Sequence, residues 1–196
     1  MTDPRMDFAS ATVKVNPATR KSERKVFLLD YDGVLHRNGA YRTKRGIVSS
    51  DPSRIKLFEY ADLLAELLEP YPDVQIVLAT TWVKVLGFDR ARDALPSEAL
   101  RNRVVGATYH SRYSDSHLWY DIPRGQQVLR YVIRHRLVRW LALDDRPEGF
   151  DAVREHLVLC DPDKALGNPD TQLALAMAFE KAFADYATDN DGSIHS

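Results

Sequence analysis

The sequence has almost no cysteine, since Cys160 is the only one among its 196 residues. A single thiol cannot build an internal disulfide framework, which excludes the small disulfide-stapled classes of secreted protein. No apolar run approaches the roughly 20 residues that a membrane-spanning helix needs. The N-terminal residues, Met1 to Asp7, also lack the apolar core of a secretory signal. These absences predict a soluble, cytoplasmic protein that does not associate with a membrane.

The sequence also lacks an excess of charge of either sign, because 27 Lys and Arg side chains nearly balance 28 Asp and Glu side chains, for a net charge of −1. Overall charge therefore indicates no particular partner. The N-terminal residues show weak hydrophobic periodicity and an excess of basic side chains, and the C-terminal residues are polar. We interpret residues 1–24 as a flexible arm, 25–186 as one α/β domain and 187–196 as a flexible tail. Most charge runs are simply solvated, but an arm that binds nucleic acid is an alternative.

The rest of the chain is organised around residues 26–36, Val-Phe-Leu-Leu-Asp-Tyr-Asp-Gly-Val-Leu-His. Four apolar residues in a row are typical of a strand buried on both faces of a parallel sheet. Asp30 and Asp32 follow at once, and isolated buried charge is strongly unfavourable without a partner or a metal. Gly33 allows a sharp turn after them. The strand therefore indicates a site at its carboxyl end.

Strand-like and helix-like segments alternate after this point, which predicts a parallel sheet with right-handed crossovers. We predict strands at Val26–Leu29, Val74–Ala79, Val104–Ala107, Trp140–Leu143 and Leu157–Cys160. We predict helices from Asp51 or Ser53 to Glu69, from Asp89 to Arg101, from Pro123 to Arg136 and from Asp170 to Tyr186. The expected fold is a Rossmann-like three-layer α/β sandwich with a five-stranded, mainly parallel sheet.

Local turn chemistry predicts a small β-hairpin soon after the first strand. Asn38-Gly39 is a strong signal for a two-residue hairpin turn, and residues 43–51 are interpreted as a polar loop. His36 is expected on the surface of this hairpin. Trp82 is interpreted as a packing residue rather than as a platform for stacking a base.

Polar residues end three of the predicted strands, and parallel strands bring these ends to one edge of the sheet. The carboxylates that meet there would repel each other by about 4 kcal/mol per pair at 4 Å and an effective dielectric of 20. Oxygen ligands without cysteine or a histidine cluster favour Mg²⁺, which binds carboxylates together with a phosphate. The residues concerned are Asp30 and Asp32, Thr80 and Thr81, and Asp144 and Asp145.

The segment Asp30-Tyr31-Asp32-Gly33-Val34-Leu35 resembles the first motif of the haloacid dehalogenase (HAD) superfamily, Asp-x-Asp-Gly-(Val/Thr)-(Leu/Val), at every position. Calcium loops also contain Asp-x-Asp-Gly, but they continue with oxygen ligands at alternate positions and end in Glu. Here Val34, Leu35, His36 and Arg37 follow, which argues against calcium. The resemblance implies an α/β domain with a hairpin flap and, given the short gaps between motifs, no large cap.

The later motifs of the superfamily have counterparts in the expected order. Val74–Thr80 is similar to motif two, a hydrophobic strand that ends in Thr or Ser, and Leu141–Asp145 is similar to motif four, a strand that ends in acidic residues. Arg124 best matches the basic residue of motif three, although the superfamily more often has Lys there; Lys84 is the fallback. The segment Leu78–Trp82 also resembles a branch of small HAD domains in multi-domain RNA-repair proteins.

The resemblance implies phosphoryl transfer with Asp30 as nucleophile and Asp32 as general acid and base. It implies Mg²⁺ held by Asp30, the Asp32 backbone carbonyl and Asp144. Asp145 would either bind the ion directly or contact one of its ligands. It further implies a phosphoryl oxygen bound by Thr80 and the Thr81 backbone N–H, with its charge offset by Arg124.

Two of these assignments have simpler alternatives. Thr80 and Thr81 could instead cap the following segment, and Asp145 could pair with Arg146 as a surface salt bridge.

A site without a cap suits a large phosphorylated substrate, such as a nucleic-acid end or a phosphoprotein. Two other classes of function compete with a phosphatase. One is a receiver-like or pseudo-enzyme module that binds phosphate or a partner without turnover, and the other is a nucleic-acid-binding protein that relies on its basic N-terminal arm. Asp32 discriminates best against the receiver, which needs no general acid two residues beyond its phospho-acceptor.

Overall fold

The structure is a computed structural model that describes residues 22–44, 46–112 and 117–185. Its strands are β1 Ser22–Leu29, β2 Ala40–Thr43, β3 Gly46–Ser49, β4 Gln75–Leu78, β5 Val104–Ala107, β6 Leu137–Asp144 and β7 Leu157–Leu159. Its α-helices are α1 Ala61–Leu68, α2 Trp82–Leu86, α3 Phe88–Asp93, α4 Glu98–Arg103, α5 Arg124–His135 and α6 Pro169–Phe183. Short 3₁₀ helices lie at Trp119–Asp121, Asp151–His156 and Ala165–Gly167. The N-terminal arm and the C-terminal tail fall almost entirely outside the described residues.

The apolar runs form one five-stranded sheet in the order β5-β4-β1-β6-β7, and every pairing in it is parallel. Strand β1 lies at the centre, paired with β4 on one side and β6 on the other. The α/β fold predicted from the sequence is confirmed, although the sheet is entirely rather than mainly parallel.

Helices cover both faces of this sheet because alternate residues of each strand point to opposite sides. Phe27 and Leu29 of β1 pack in one cluster of buried residues with α1, α3, α4 and α6. Val26 and Leu28 pack on the other face with α5 and the segment around Phe150. Because both faces of β1 are buried, only its carboxyl end can present functional groups.

The register of the sheet determines which residues meet at that end. Leu29 of β1 pairs with Leu78 of β4 and with Leu143 of β6. Asp30, the first residue after β1, therefore lies beside Asp144. Its backbone N–H donates to the Leu143 carbonyl at 3.2 Å. Carboxylates 114 positions apart in the sequence thus become neighbours in space.

The predicted hairpin is present, but its turn lies further along the chain than expected. Strand β2 pairs antiparallel with β3 from Ala40↔Ser49 to Thr43↔Gly46, so the chain reverses between Thr43 and Gly46. Asn38 and Gly39 instead lead into the hairpin, since the Asn38 N–H bonds the Pro162 carbonyl at 2.9 Å. The prediction of a polar loop over residues 43–51 was wrong because the hairpin strands include Thr43 of β2 and Gly46–Ser49 of β3.

The helix predicted from residue 51 or 53 begins only at Ala61. Asp51 makes a local turn by accepting hydrogen bonds from the Ser53 N–H and hydroxyl, at 3.1 and 2.5 Å. Phe58 then has a φ of +59°, which interrupts a right-handed helix. Its ring packs against Tyr31 and Trp82, so tertiary packing outweighs the helical periodicity of this segment.

The helix predicted from Asp89 to Arg101 is two short helices instead, α3 and α4, and the short helix α2 precedes them. Gly87, with a φ of +88°, separates α2 from α3. Ser97 caps α4 by accepting the Leu100 N–H at 3.4 Å. In α5, the apolar side chain of Ile133 is 72% exposed. The buried positions Val128 and Val132 define a face that Ile133 lies well away from at 100° per residue.

Helix α6 offers a direct test of this core. Phe179 is fully buried, with its ring centroid 5.0 Å from that of Phe27, whereas Met177 on the same helix is 63% exposed. We expect Phe179→Ala to lower the free energy of unfolding by about 3–5 kcal/mol through lost burial and a residual cavity. Met177→Ala is the control and should change it by about 0.5 kcal/mol or less. Urea denaturation measures both; equal effects would contradict the assignment of this face.

Candidate active site

Three carboxylates meet where the central strands end. One oxygen from each of Asp30, Asp144 and Asp145 lies within 4.8 Å of the other two. The first two residues are 2% and 1% exposed, and Asp145 is half-buried. The Asp30 carboxylate accepts the Tyr31 N–H at 2.9 Å, and Asp144 accepts the Arg146 N–H at 3.1 Å. The backbone thus fixes the direction of two of the three carboxylates.

Arg124 is the cation that faces these carboxylates. Its Nη2 lies 3.1 Å from Asp30 Oδ2, and its Nε lies 3.0 Å from Asp144 Oδ2. Nη1 donates to the Ala79 carbonyl and to Gln127 Oε1. The residue is 3% exposed, so the guanidinium fork is held at fixed positions between β1, β4 and β6.

Close packing of two glycines positions the helix that carries Arg124. The N–H of Gly125 donates to the Glu148 carbonyl at 2.9 Å. A Cβ at Gly125 would overlap the backbone of Gly149 and Phe150. The first turn of α5 can therefore approach the loop after β6 closely, which brings the guanidinium to the sheet end.

Negative charge is in excess here because three carboxyl groups face two guanidinium groups, the buried one of Arg124 and the exposed one of Arg146, 3.9 Å from Asp145. Burial, and then the charge of Asp30, raises the pKa of Asp144 well above its ordinary value. The same two causes raise the pKa of Asp145 to about 6. Burial alone would lower the pKa of Arg124, but its carboxylate neighbours raise it overall. The charge balance favours one more cation.

An oxygen without a donor shows where a cation would fit. Asp144 Oδ2 is buried and accepts no hydrogen bond among the described residues, because the Arg124 Nε–H is close but not aimed at it. A buried acceptor left without a partner costs roughly 1–3 kcal/mol. Three carboxylates with hard oxygen atoms suit a divalent cation such as Mg²⁺. Asp30, Asp144 and Asp145 therefore could hold a metal ion.

The Asp32 carboxylate does not belong to this cluster, although the residue is only two positions from Asp30. Trp82 Nε1 donates to Asp32 Oδ2 at 2.8 Å, and His36 Nε2 lies 3.1 Å from Oδ1. The Asp32 side chain remains 27% exposed. The two aspartates thus have different surroundings, one buried among charges and one held at the mouth of the site.

Residues after β4 provide the next wall of the site. Thr80 is 2% exposed, and its hydroxyl oxygen accepts the Trp82 N–H at 3.3 Å, although it lies one residue before the N-cap position of α2. Thr81 is half-buried, and its side chain makes no cap bond. Lys84, the fallback for the basic residue, has its Nζ 3.3 Å from the centroid of the Tyr120 ring. The structure thus brings Arg124, rather than Lys84, into contact with the carboxylates.

Gly33, which follows Asp32 directly, lies against the side chain of Asp145. Its φ is +69°, and a Cβ there would lie 2.5 Å from Asp145 Oδ2. Asp145 Oδ1 is 3.9 Å from Arg146 Nε, so the proposed surface salt bridge is long. The position of Gly33 allows Asp145 to pack directly over the turn after β1.

Sequence reasoning missed two residues that support this site. His36 was expected on the surface but is fully buried; its spacing of four from Asp32, after the apolar pair Val34-Leu35, is the signal that could have revealed it. Gln127 supports Arg124 while donating to the carbonyls of Trp119 and Ile122. Its signal was the i,i+3 spacing on the predicted helix.

Comparison with known families agrees with this geometry. The family profile described as the HAD domain in Swiss Army Knife RNA repair proteins matches residues 26–171. That range contains all the carboxylates described above. A search of curated proteins returns no match. None of the described helices combines the length and apolar character that crossing a bilayer requires.

Metal binding can be tested without any assay of activity. At a Mg²⁺ concentration about ten times Kd, binding contributes about 1.4 kcal/mol, which is a Tm increase of about 3–6 °C for a domain of this size. We expect this increase for the wild type and its loss in Asp144→Asn and Asp145→Asn. Asp163→Asn, which removes an exposed carboxylate, is the control. An unchanged increase in the two site variants would show that the ion binds elsewhere.

Proposed function

The chain belongs to the family of HAD domains found in Swiss Army Knife RNA repair proteins, and on this premise we propose that it is a Mg²⁺-dependent phosphohydrolase that acts through an aspartyl-phosphate. The observation that carries the proposal is the difference between its two neighbouring aspartates. Asp30 is buried against Arg124 and the acidic pair, and Asp32 is partly exposed and held by two nitrogen atoms.

The bound ion supplies charge that offsets the carboxylates and the transferring phosphoryl group. Asp30, Asp144 and Asp145, with the Asp32 backbone carbonyl, are the residues proposed to hold it. Arg124 would offset further negative charge on the phosphoryl group, beside the nucleophile. Carboxylate oxygens without sulfur or imidazole donors are the set that Mg²⁺ prefers.

The chemistry balances with the residues of this chain and one water. A carboxylate oxygen of Asp30 attacks phosphorus and forms an O–P bond while the bond to the leaving oxygen breaks. Asp32 gives its proton to that oxygen. Asp32 then takes a proton from water as the water oxygen attacks phosphorus, and the Asp30–phosphorus bond breaks. Phosphate leaves, Asp30 is again a carboxylate and Asp32 is again protonated.

Residues after β4 are proposed to bind the substrate phosphate. The Thr80 hydroxyl already accepts the Trp82 N–H, so its own proton is available for a phosphoryl oxygen. The Thr81 backbone N–H follows it at the strand end. Such donors stabilise charge that develops in the transition state.

A large, nucleic-acid-related phosphate is the proposed substrate class, and a cytoplasmic location is part of the proposal. Between Asp32 and Thr80 the regular elements of the described residues are the hairpin, α1 and the sheet strand β4, which leaves the site without a cap domain. A groove of about 380 Å³ between the hairpin and α2–α3 is lined by uncharged residues together with three basic ones, Arg42, Lys44 and Arg90. A basic groove suits a phosphate backbone.

The test is Mg²⁺-dependent release of phosphate from p-nitrophenyl phosphate. We expect Asp30→Asn to abolish turnover because the nucleophile is lost, and Asp32→Asn to lower kcat by about 10²–10⁴-fold. Asp163→Asn is the control and should retain activity. If no ester is hydrolysed but the wild type still binds fluoroberyllate, the non-catalytic phosphate-binding alternative is correct instead.

The substrate class is tested separately. Wild-type enzyme should release phosphate from oligonucleotides with a 3′- or 5′-phosphate with higher kcat/KM than from small sugar phosphates. High activity on sugar phosphates with none on oligonucleotides would contradict the open-site argument and leave the phosphohydrolase proposal intact.

A further inference from the structure

His36 is a fully buried polar residue with no part in the reaction as written above. Its Nε2 lies 3.1 Å from Asp32 Oδ1, while its Nδ1 has no hydrogen-bond partner among the described residues. Trp82, itself 4% exposed, donates its indole N–H to the other oxygen of Asp32 at 2.8 Å. Two buried rings therefore hold the two oxygens of one partly exposed carboxyl group.

The orphan nitrogen of His36 indicates which ring nitrogen carries the proton. With the proton on Nε2, the ring donates to Asp32 and buries just a lone pair at Nδ1. With the proton on Nδ1, a buried N–H would have no acceptor, and a lone pair would face a carboxyl oxygen. An unsatisfied buried donor is costly, so the first arrangement is favoured. Both contacts to Asp32 are then N–H donors.

From this arrangement we infer that Trp82 and His36 are positioning residues that orient Asp32 toward the leaving group, an inference that rests on the proposed function. An indole N–H can donate but cannot accept, and neither can an imidazole Nε2 that already carries its proton. Neither ring competes for the proton of Asp32. The carboxyl oxygens have lone pairs left over, and these lie on the exposed side. The proton of the acid can leave only toward substrate or water.

The surrounding residues hold the two rings in place. Phe58 packs edge-to-face on both, with ring centroids 5.3 Å from His36 and 5.1 Å from Trp82. Its backbone has a φ of +59°, which is strained for a bulky residue and persists only where packing enforces it. Tyr31 completes the group by contacting Trp82 at 5.6 Å and donating its hydroxyl to the Ala91 carbonyl at 3.0 Å.

The test compares two aryl phosphates of similar shape. Phenyl phosphate needs a proton on its leaving oxygen, whereas 2,4-dinitrophenyl phosphate releases a stable anion and needs none. We expect Trp82→Phe and His36→Leu each to lower kcat/KM for phenyl phosphate by about 10–100-fold and for the dinitrophenyl ester by about threefold or less, as a partial loss of the contribution of a general acid. The ratio kcat/KM is compared because it reports formation of the aspartyl-phosphate and not its hydrolysis, in which Asp32 also acts on both esters. Asp32→Asn should show the same selectivity in kcat/KM with a larger loss.

Matched variants separate orientation from simple stability. His36→Gln retains an N–H donor near the position of Nε2 and should recover most of the activity on phenyl phosphate that His36→Leu loses. Trp140→Phe removes the indole of a buried tryptophan that stacks on His156 instead, and it should show no selectivity between the esters. Equal losses on both esters, or a His36→Gln variant no better than His36→Leu, would overturn the inference.

A spectroscopic measurement tests the contact without turnover. The chain has three tryptophans, and Trp82→Phe assigns the indole N–H signal of Trp82 in a ¹⁵N-edited spectrum of the full chain. We expect this N–H to be protected from solvent exchange and to lose that protection in Asp32→Ala. A signal that Asp32→Ala leaves unchanged would overturn the inference even if the enzyme turns over phosphate. Failure of Asp30→Asn to abolish turnover would instead contradict the proposed function alone.

Discussion

Repulsion among the buried carboxylates is the constraint on which the rest of the structure depends. One oxygen from each of Asp30, Asp144 and Asp145 lies within 4.8 Å of the other two, and burial leaves little water to screen these charges. The sheet order, the glycine contact under α5 and the burial of Arg124 all hold the Arg124 guanidinium against Asp30 and Asp144. An arrangement of this kind is stable only with a ligand or a shifted protonation state, which is typical of functional sites.

Much of the fold and of the acidic cluster could be predicted from the sequence because each depends on local pattern plus topology. The strand at Val104–Ala107 agrees with the structure residue for residue. Once the strands are known to be parallel, their carboxyl ends must lie at one edge, so Asp30 and Asp144 could be brought together without coordinates. Arg124 was predicted through its resemblance to the basic residue of motif three, at the start of the helix that precedes β6.

The misses have a common physical origin, because each depends on contacts distant in sequence. Periodicity favoured a helix through residue 58, but Phe58 turns into a left-handed conformation to reach His36 and Trp82. His36 looked like a surface residue because burial of a lone imidazole needs partners that local pattern does not reveal. Asn38-Gly39 has strong turn chemistry, yet its neighbour Pro162 lies far along the chain.

The central place of β1 has a consequence for how the chain acquires its site. Strand β1 is synthesised before its partners β4 and β6, which begin at Gln75 and Leu137. Loop closure over such separations slows folding, and chains are synthesised at roughly 5–20 residues per second. A nascent chain therefore carries its two aspartates for several seconds before Asp144 and Asp145 exist. The acidic cluster thus forms only after synthesis has passed Asp145.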